Sequence, residues 1–241
     1  MKMQADISAR DLSLLKEKFP SEAELNAAIA RLRNREPLAY IIGEWYFYNE
    51  TYKVTPDCLI PRPETEHIVD VLIKSLPQNG VFADLCTGSG CIAISTLVHR
   101  PDCRAVAVDI SPGALSVAAE NAAANRVSDR ISFIKSDITS ENPLGDTLFD
   151  AIASNPPYIN TDIIDTLEPE VLREPRIAFD GGADGLDFYR IILENYRANI
   201  KPDGFLVCEV GYDQGQRLRD MCGCEIKKDY SGNDRVMLLR C

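Results

Sequence analysis

The chain has 241 residues, 45% of them hydrophobic and 26% charged, with a formal net charge of −11. That balance suits one large globular domain with an appendage and argues against broad affinity for phosphate backbones, which needs clustered Lys and Arg. No stretch has the apolar length of a membrane span or the pattern of a signal peptide, and the eight cysteines and two histidines show no metal-site spacing. Scattered thiols without a secretory signal read as reduced packing residues of a cytoplasmic protein.

Along the chain, Ser8 to Arg35 reads as two short helices. Leu12, Leu15 and Phe19 share one face, and Ser21-Glu22-Ala23-Glu24 resembles a capping box ahead of Leu25, Ala28, Ile29 and Leu32. Helices this small cannot bury a large core alone and should lean on the segments C-terminal to them. Residues 1–36 are thus expected to be a reduced helical segment. Residues 37–60 are expected to be a linker with a β-hairpin, because Trp45-Tyr46-Phe47-Tyr48 and Thr51-Tyr52-Lys53-Val54 flank the polar pair Asn49-Glu50. Residues 61–241 form the remaining domain. Ile60-Pro61-Arg62-Pro63-Glu64-Thr65-Glu66 opens a helix through about Leu76, and the Pro-Arg-Pro lead-in fixes Arg62 for a ligand or a salt bridge.

From Gly80 strands and helices alternate. Strands are expected at 81–85, 104–109, 131–134, from Phe149, and at 204–210, with helices at 92–98, 112–124, 186–199 and 215–221 between and after them. Two closing strands, 225–230 and 235–239, have no helix between them, which suggests a hairpin and one antiparallel strand. The pattern predicts an α/β fold with a doubly wound, mainly parallel seven-stranded sheet.

In such sheets ligands bind beyond the carboxyl ends of the strands. The fourth strand runs into Asn155-Pro156-Pro157-Tyr158. Neither proline can continue a sheet, so the chain is held extended there. Asn155 Oδ1 and the Pro156 carbonyl can accept both hydrogens of a planar –NH2 group while Tyr158 packs on its face. Taken alone, the same residues also read as a strand followed by a Pro-Pro turn. The first strand ends in Asp84-Leu85-Cys86-Thr87-Gly88-Ser89-Gly90, where glycines allow close backbone approach. The full Gly-x-Gly-x-x-Gly pattern is not met, which disfavours a pyrophosphate site. Asp109-Ile110 ends the second strand and Asp137-Ile138 the third. Carboxylates at successive strand ends, beside a loop without basic residues, suit an unphosphorylated nucleoside of neutral or positive charge. S-adenosylmethionine fits, with its ribose at Asp109, adenine near Asp137 and Ile138, and methionine tail near Asp84 and the glycines.

These residues together resemble the release-factor glutamine methyltransferases. The likeness runs from Pro37 to the C-terminus. It rests on Pro37-Leu38-Ala39-Tyr40-Ile41-Ile42-Gly43, Leu59-Ile60-Pro61-Arg62-Pro63-Glu64-Thr65, Thr87-Gly88-Ser89-Gly90, Asn155-Pro156-Pro157-Tyr158, Glu174-Pro175-Arg176 and Asp180-Gly181-Gly182-Ala183-Asp184-Gly185-Leu186. The tetrad alone is shared with enzymes that methylate exocyclic adenine or guanine nitrogens. The resemblance implies a fold of the S-adenosylmethionine methyltransferase type. It also implies methylation of the side-chain nitrogen of the Gln in the Gly-Gly-Gln loop of peptide-chain release factors; from charge, hydropathy and Cys/His spacing, no nucleic-acid partner, membrane partner or metal is expected. The expected catalytic residues are Asn155, Pro156, Pro157 and Tyr158. Expected cofactor contacts are Asp84, Cys86, Thr87, Gly88, Ser89, Gly90, Asp109, Ile110, Asp137, Ile138 and Asn155, and Arg62, Pro63 and Glu64 join the tetrad in holding substrate. Two departures stand out. Cys86 replaces the family's usual Gly, which a small side chain can match if φ there is negative, and residues 1–36 stand where the family carries a larger helical domain.

Overall fold

A computed structural model describes residues 7–241; the first six residues of the expected N-terminal segment lie outside it. Strands β3 (Val81–Leu85), β4 (Arg104–Asp109), β5 (Ile131–Lys135), β6 (Phe149–Ser154), β7 (Ile200–Glu209), β8 (Glu225–Lys228) and β9 (Asp234–Arg240) form one sheet in the order β5-β4-β3-β6-β7-β9-β8. The pairs from β5 through β7 are parallel, and β9 runs antiparallel to both β7 and β8. The chain builds outward from β3 to β5, then returns to place β6 on the other side of β3. That reversal opens a crevice beyond the carboxyl ends of β3 and β6, where ligands of such sheets bind.

Alternate residues of each strand enter opposite cores. Phe82, Ala105, Ala107, Ala151, Ala153, Phe205 and Val207 meet helices α4 (Glu66–Ser75) and α5 (Cys91–His99) on one face. Ala83, Leu85, Val108, Ile152, Leu206 and Cys208 meet α7 (Asp187–Asn195) and α8 (Gly215–Cys222) on the other. A sheet covered on both faces explains why these strands read as nearly continuous apolar runs.

At the N-terminus, α1 (Ala9–Lys18) and α2 (Glu22–Arg33) are capped by Ser8 and Ser21, and the Ser21 hydroxyl also donates to Glu24 at 2.6 Å. Their Leu15 and Ala28 pack against Ile41 of a short helix, α3 (Leu38–Ile42). Part of the expected linker is therefore helical: Pro37 opens this turn, and Gly43 closes it at φ 80°. The hairpin comes next as β1 (Glu44–Phe47) and β2 (Glu50–Lys53). It docks through Tyr52, whose hydroxyl lies 2.6 Å from Ser95 of α5, and through Lys53, whose N–H donates to Asn121 of α6 (Pro112–Ala124) at 2.7 Å.

The strand expected over 225–230 stops at Lys228, and two other boundaries differ more. The helix expected over 186–199 stops at Asn195 and gives way to a single tight turn, Arg197–Asn199. Strand β7 starts at Ile200, not Gly204, because the turn-like Lys201-Pro202-Asp203-Gly204 is absorbed as an irregularity between the Phe149–Ile200 and Ala151–Phe205 pairs.

Candidate active site

The glycine loop is held by its neighbours' strand ends. Thr87 N donates to Val108 O at 3.0 Å, Gly88 N to Asp109 Oδ2 at 2.8 Å, and the Thr87 hydroxyl to Asp84 Oδ2 at 2.6 Å. Asn121 of α6 reaches up to Ser89 O at 2.9 Å. This arrangement forces Cys86 to φ 58°, contrary to the negative φ that a side chain at this position would favour. Left-handed backbone costs an L-residue about 1–2 kcal/mol, which is the physical reason a glycine suits the position. Burial also pushes the Cys86 thiol well above its ordinary pKa, so it is not poised as a nucleophile.

Beside this loop lies a cavity of about 250 Å³. Its wall unites Cys86, Gly88, Asp109, Ile110, Asp137, Ile138 and Asn155 with residues the sequence reading did not assign: Asp57, Cys58, Leu59, Ser111, Ser136, Ile177 and Phe188. No Lys or Arg lines it. Asp109 is fixed by N–H groups of Gly88 and Ser111, and burial nevertheless raises its pKa. Asp137 Oδ1 takes both the N–H and the hydroxyl of Thr139. Asp84, Thr87, Ser89 and Gly90 are buried and absent from the wall. Burial lifts the Asp84 carboxyl to about 7, and its Oδ1, like Ser89 Oγ, has no hydrogen-bond partner.

S-adenosylmethionine fits these features. Carboxylates raised by burial are relieved by hydroxyl donors and positive charge, and the cofactor brings ribose hydroxyls, an ammonium and a sulfonium. The apolar Ile110, Ile138, Leu59 and Phe188 offer a surface for its base.

The tetrad follows β6 at the other end of the cavity. Asn155 and Pro157 reach the wall; Pro156 and Tyr158 do not. Asn155 Nδ2 donates to Thr65 Oγ1 at 3.1 Å, Thr65 Oγ1 donates to Glu209 Oε2 at 2.5 Å, and the Tyr158 hydroxyl donates to Glu209 Oε1 at 3.0 Å. Glu209 ends β7 with 1% of its surface exposed; burial raises its pKa, while the Thr65 and Tyr158 hydroxyls and Arg235 oppose that rise. Among the described residues, nothing donates to Asn155 Oδ1 or to the Pro156 carbonyl. The Asp180–Leu186 stretch runs alongside: Gly181 N donates to Ile159 O, and a Cβ on Gly181 would lie 2.7 Å from Tyr158 Cα. Gly185 is crowded by the Tyr158 carbonyl in the same way, and Gln214 Nε2 closes on that carbonyl at 2.8 Å.

The expected substrate residues divide. Arg62 is paired through Nη2 to Glu174, whose other oxygen accepts Ile60 N at 2.9 Å. Pro63 and Glu64 line a separate pocket with Tyr48, Glu66, His67 and Tyr230, because the turn that aims Thr65 inward faces them outward. The Tyr158 hydroxyl is spent on Glu209. Sequence reasoning missed Glu209 and Thr65. Applying the strand-end rule to the fifth strand as to the first three would have pointed to Glu209 in Glu209-Val210-Gly211.

Comparison with known proteins agrees with this geometry. The family model for the methyltransferase small domain matches residues 65–172. In fold, the chain is similar to the hMettl16 catalytic domain solved with an RNA hairpin, at TM-score 0.58 and 14% identity over 97% of this chain and 95% of that one. The release factor glutamine methyltransferase of Caulobacter vibrioides is 43% identical over 225 residues, 90% of this chain and 77% of the relative. That of Geobacter sulfurreducens is 40% identical over 222 residues, 89% and 77%. With a methyltransferase sheet, a cavity fit for S-adenosylmethionine and identity at this level over most of both chains, the chain belongs to the release factor glutamine methyltransferase family.

Proposed function

We infer that the protein methylates the side-chain amide nitrogen of a glutamine in peptide-chain release factors, the Gln of their Gly-Gly-Gln loop. The observation that carries this reading is a pair of acceptors that no described residue satisfies: Asn155 Oδ1, on a side chain that lines the cavity, and the carbonyl of Pro156 next to it in the chain.

An amide nitrogen is a poor nucleophile because its lone pair is delocalised into the carbonyl. Two fixed acceptors on its two hydrogens stop its rotation and aim it, and they stabilise the positive charge that grows on it. Bound S-adenosylmethionine supplies an electrophilic methyl group. Asp109 and Asp137 would hold the nucleoside, and Cys86 and Gly88, the loop residues on the cavity wall, would hold the methionine end. No base need act beforehand: once the nitrogen is cationic, its proton passes readily to water. Arg62, held by Glu174, and the 174–186 loop shape the entrance to the tetrad.

Residues 61–241 carry most of this chemistry, Asp57, Cys58 and Leu59 add to the cavity wall, and the helices before them serve to dock the release factor. The net charge of −11 supports a protein substrate over nucleic acid. No helix among the described residues is long and apolar enough to cross a membrane. All eight cysteines are free thiols, which supports a site of action in the cytoplasm. Incubating the enzyme with S-adenosylmethionine and a release factor, then mapping the product by mass spectrometry, tests the reading. The methyl group is expected on that Gln and lost when it is replaced by Asn. Label elsewhere on the release factor would overturn the assignment.

A further inference from the structure

Asn155 can present either end of its amide to a substrate, and only one end is useful. A target –NH2 group brings two hydrogens, so it needs Asn155 Oδ1; the opposite orientation would set two donors against each other. Something must select between the two.

We propose that Thr65 and Glu209 are positioning residues that set the polarity of the Asn155 amide, and so make the site select an amide nitrogen over a carboxylate. This deepens the reading above and rests on it. The Thr65 hydroxyl has a single hydrogen. Burial raises the Glu209 pKa, but both of its oxygens accept from hydroxyls, Thr65 Oγ1 at 2.5 Å and Tyr158 Oη at 3.0 Å, and this donation opposes the rise and holds the group as an acceptor. The Thr65 hydrogen is therefore committed to Glu209, and Thr65 Oγ1 can offer Asn155 only lone pairs. Asn155 answers with Nδ2 at 3.1 Å, which turns Oδ1 away from Thr65. A flipped amide would press Oδ1 against Thr65 Oγ1 with no hydrogen between them. Thr65 and Glu209 are 2% and 1% exposed, so water cannot readily replace the missing link. The same carboxylate anchors Tyr158, so one buried charge orders both ends of the tetrad.

The chain of donors makes a prediction that packing alone does not. Thr65→Val keeps the shape and removes the hydroxyl, whereas Thr65→Ser keeps the hydroxyl. Each variant is to be compared with wild type by calorimetric binding of two peptides, one carrying Gly-Gly-Gln and one carrying Gly-Gly-Glu, with S-adenosylhomocysteine present. Single-turnover methylation of a release factor and cofactor affinity are measured alongside. Wild type should bind the Gln peptide more tightly. In Thr65→Val that preference should shrink by about tenfold or more and methylation should slow by about 10–10², the scale of losing one fixed hydrogen-bonding group or less. Thr65→Ser should stay within about threefold of wild type on every measure, and cofactor affinity should hold in both variants, since Thr65 is off the cavity wall. Glu209→Gln, which can donate as well as accept, should shrink the preference like Thr65→Val and serves in its place should that variant not fold. An unchanged Gln-over-Glu preference in folded Thr65→Val or Glu209→Gln, or an equal loss in Thr65→Ser, would overturn the proposal. Failure of wild type to methylate the release factor would instead strike the functional reading.

Discussion

The two ends of the site are built differently. At the cofactor end, Asp84 lies in β3 and the glycine loop follows it, Asp109 ends β4 and Asp137 follows β5, and their contacts are mostly to backbone a few residues away or one strand over. At the tetrad end, Asn155, Thr65, Glu209 and Tyr158 are joined by side chains 51 to 144 residues apart. Local turns make the first end and long-range polar contacts make the second. The difference teaches where each kind of residue acts: the cofactor end should govern affinity for the methyl donor, and the tetrad end the rate of transfer.

The largest effect should come from Asn155→Ala. Removing one preorganised acceptor should slow methyl transfer by about 10²–10³, with kcat falling more than KM rises. Steady-state assays with calorimetric cofactor binding would check it, and a folded variant working at the wild-type rate would break the division between the two ends. From the other side, Asp109→Ala should weaken S-adenosylmethionine by about 1.5–3 kcal/mol, the loss of hydrogen bonds to a charged group. Unchanged affinity in the folded variant would remove Asp109 from the cofactor end.

Asp84 sharpens the contrast through pH. Its folded pKa, about 7, lies above the ordinary carboxylate value of 3.8, so between these the folded state holds the extra proton. Stability of the cofactor-free protein should therefore fall as pH rises, by roughly 2 kcal/mol from this group between pH 5 and 7. Denaturant melts should show that slope, and Asp84→Asn should flatten it. The smallest effect belongs to Cys86→Gly. Relief of the left-handed strain, less the entropy cost of glycine, should stabilise the protein by about 0.5–1 kcal/mol and leave cofactor binding intact. A loss of binding in the folded variant would give the Cys86 side chain a specific role.

The same contrast explains what could be read without coordinates. The alternation of short apolar runs with helical segments foretold the seven strands, since a sheet buried on both faces writes continuous apolar runs into the sequence. Asp109 and the Gly88–Gly90 turn were legible because they sit at strand ends. Thr65 carries no local pattern, and although Glu209 sits at a strand end, the partnership of the two exists only once β6, β7 and the turn before α4 converge. Cys86 failed for another reason: its φ is imposed by hydrogen bonds from the loop to β4, which no single stretch of sequence displays. Glu64 shows how one residue reverses a reading, since neighbours on a tight turn face opposite ways.

The most direct test of the account is a competition. Release factor, DNA and RNA are offered together with S-adenosylmethionine labelled in its methyl group, and the label is followed into each. The account predicts label in the release factor alone, at its Gly-Gly-Gln glutamine. Label in either nucleic acid in preference to the release factor would contradict it.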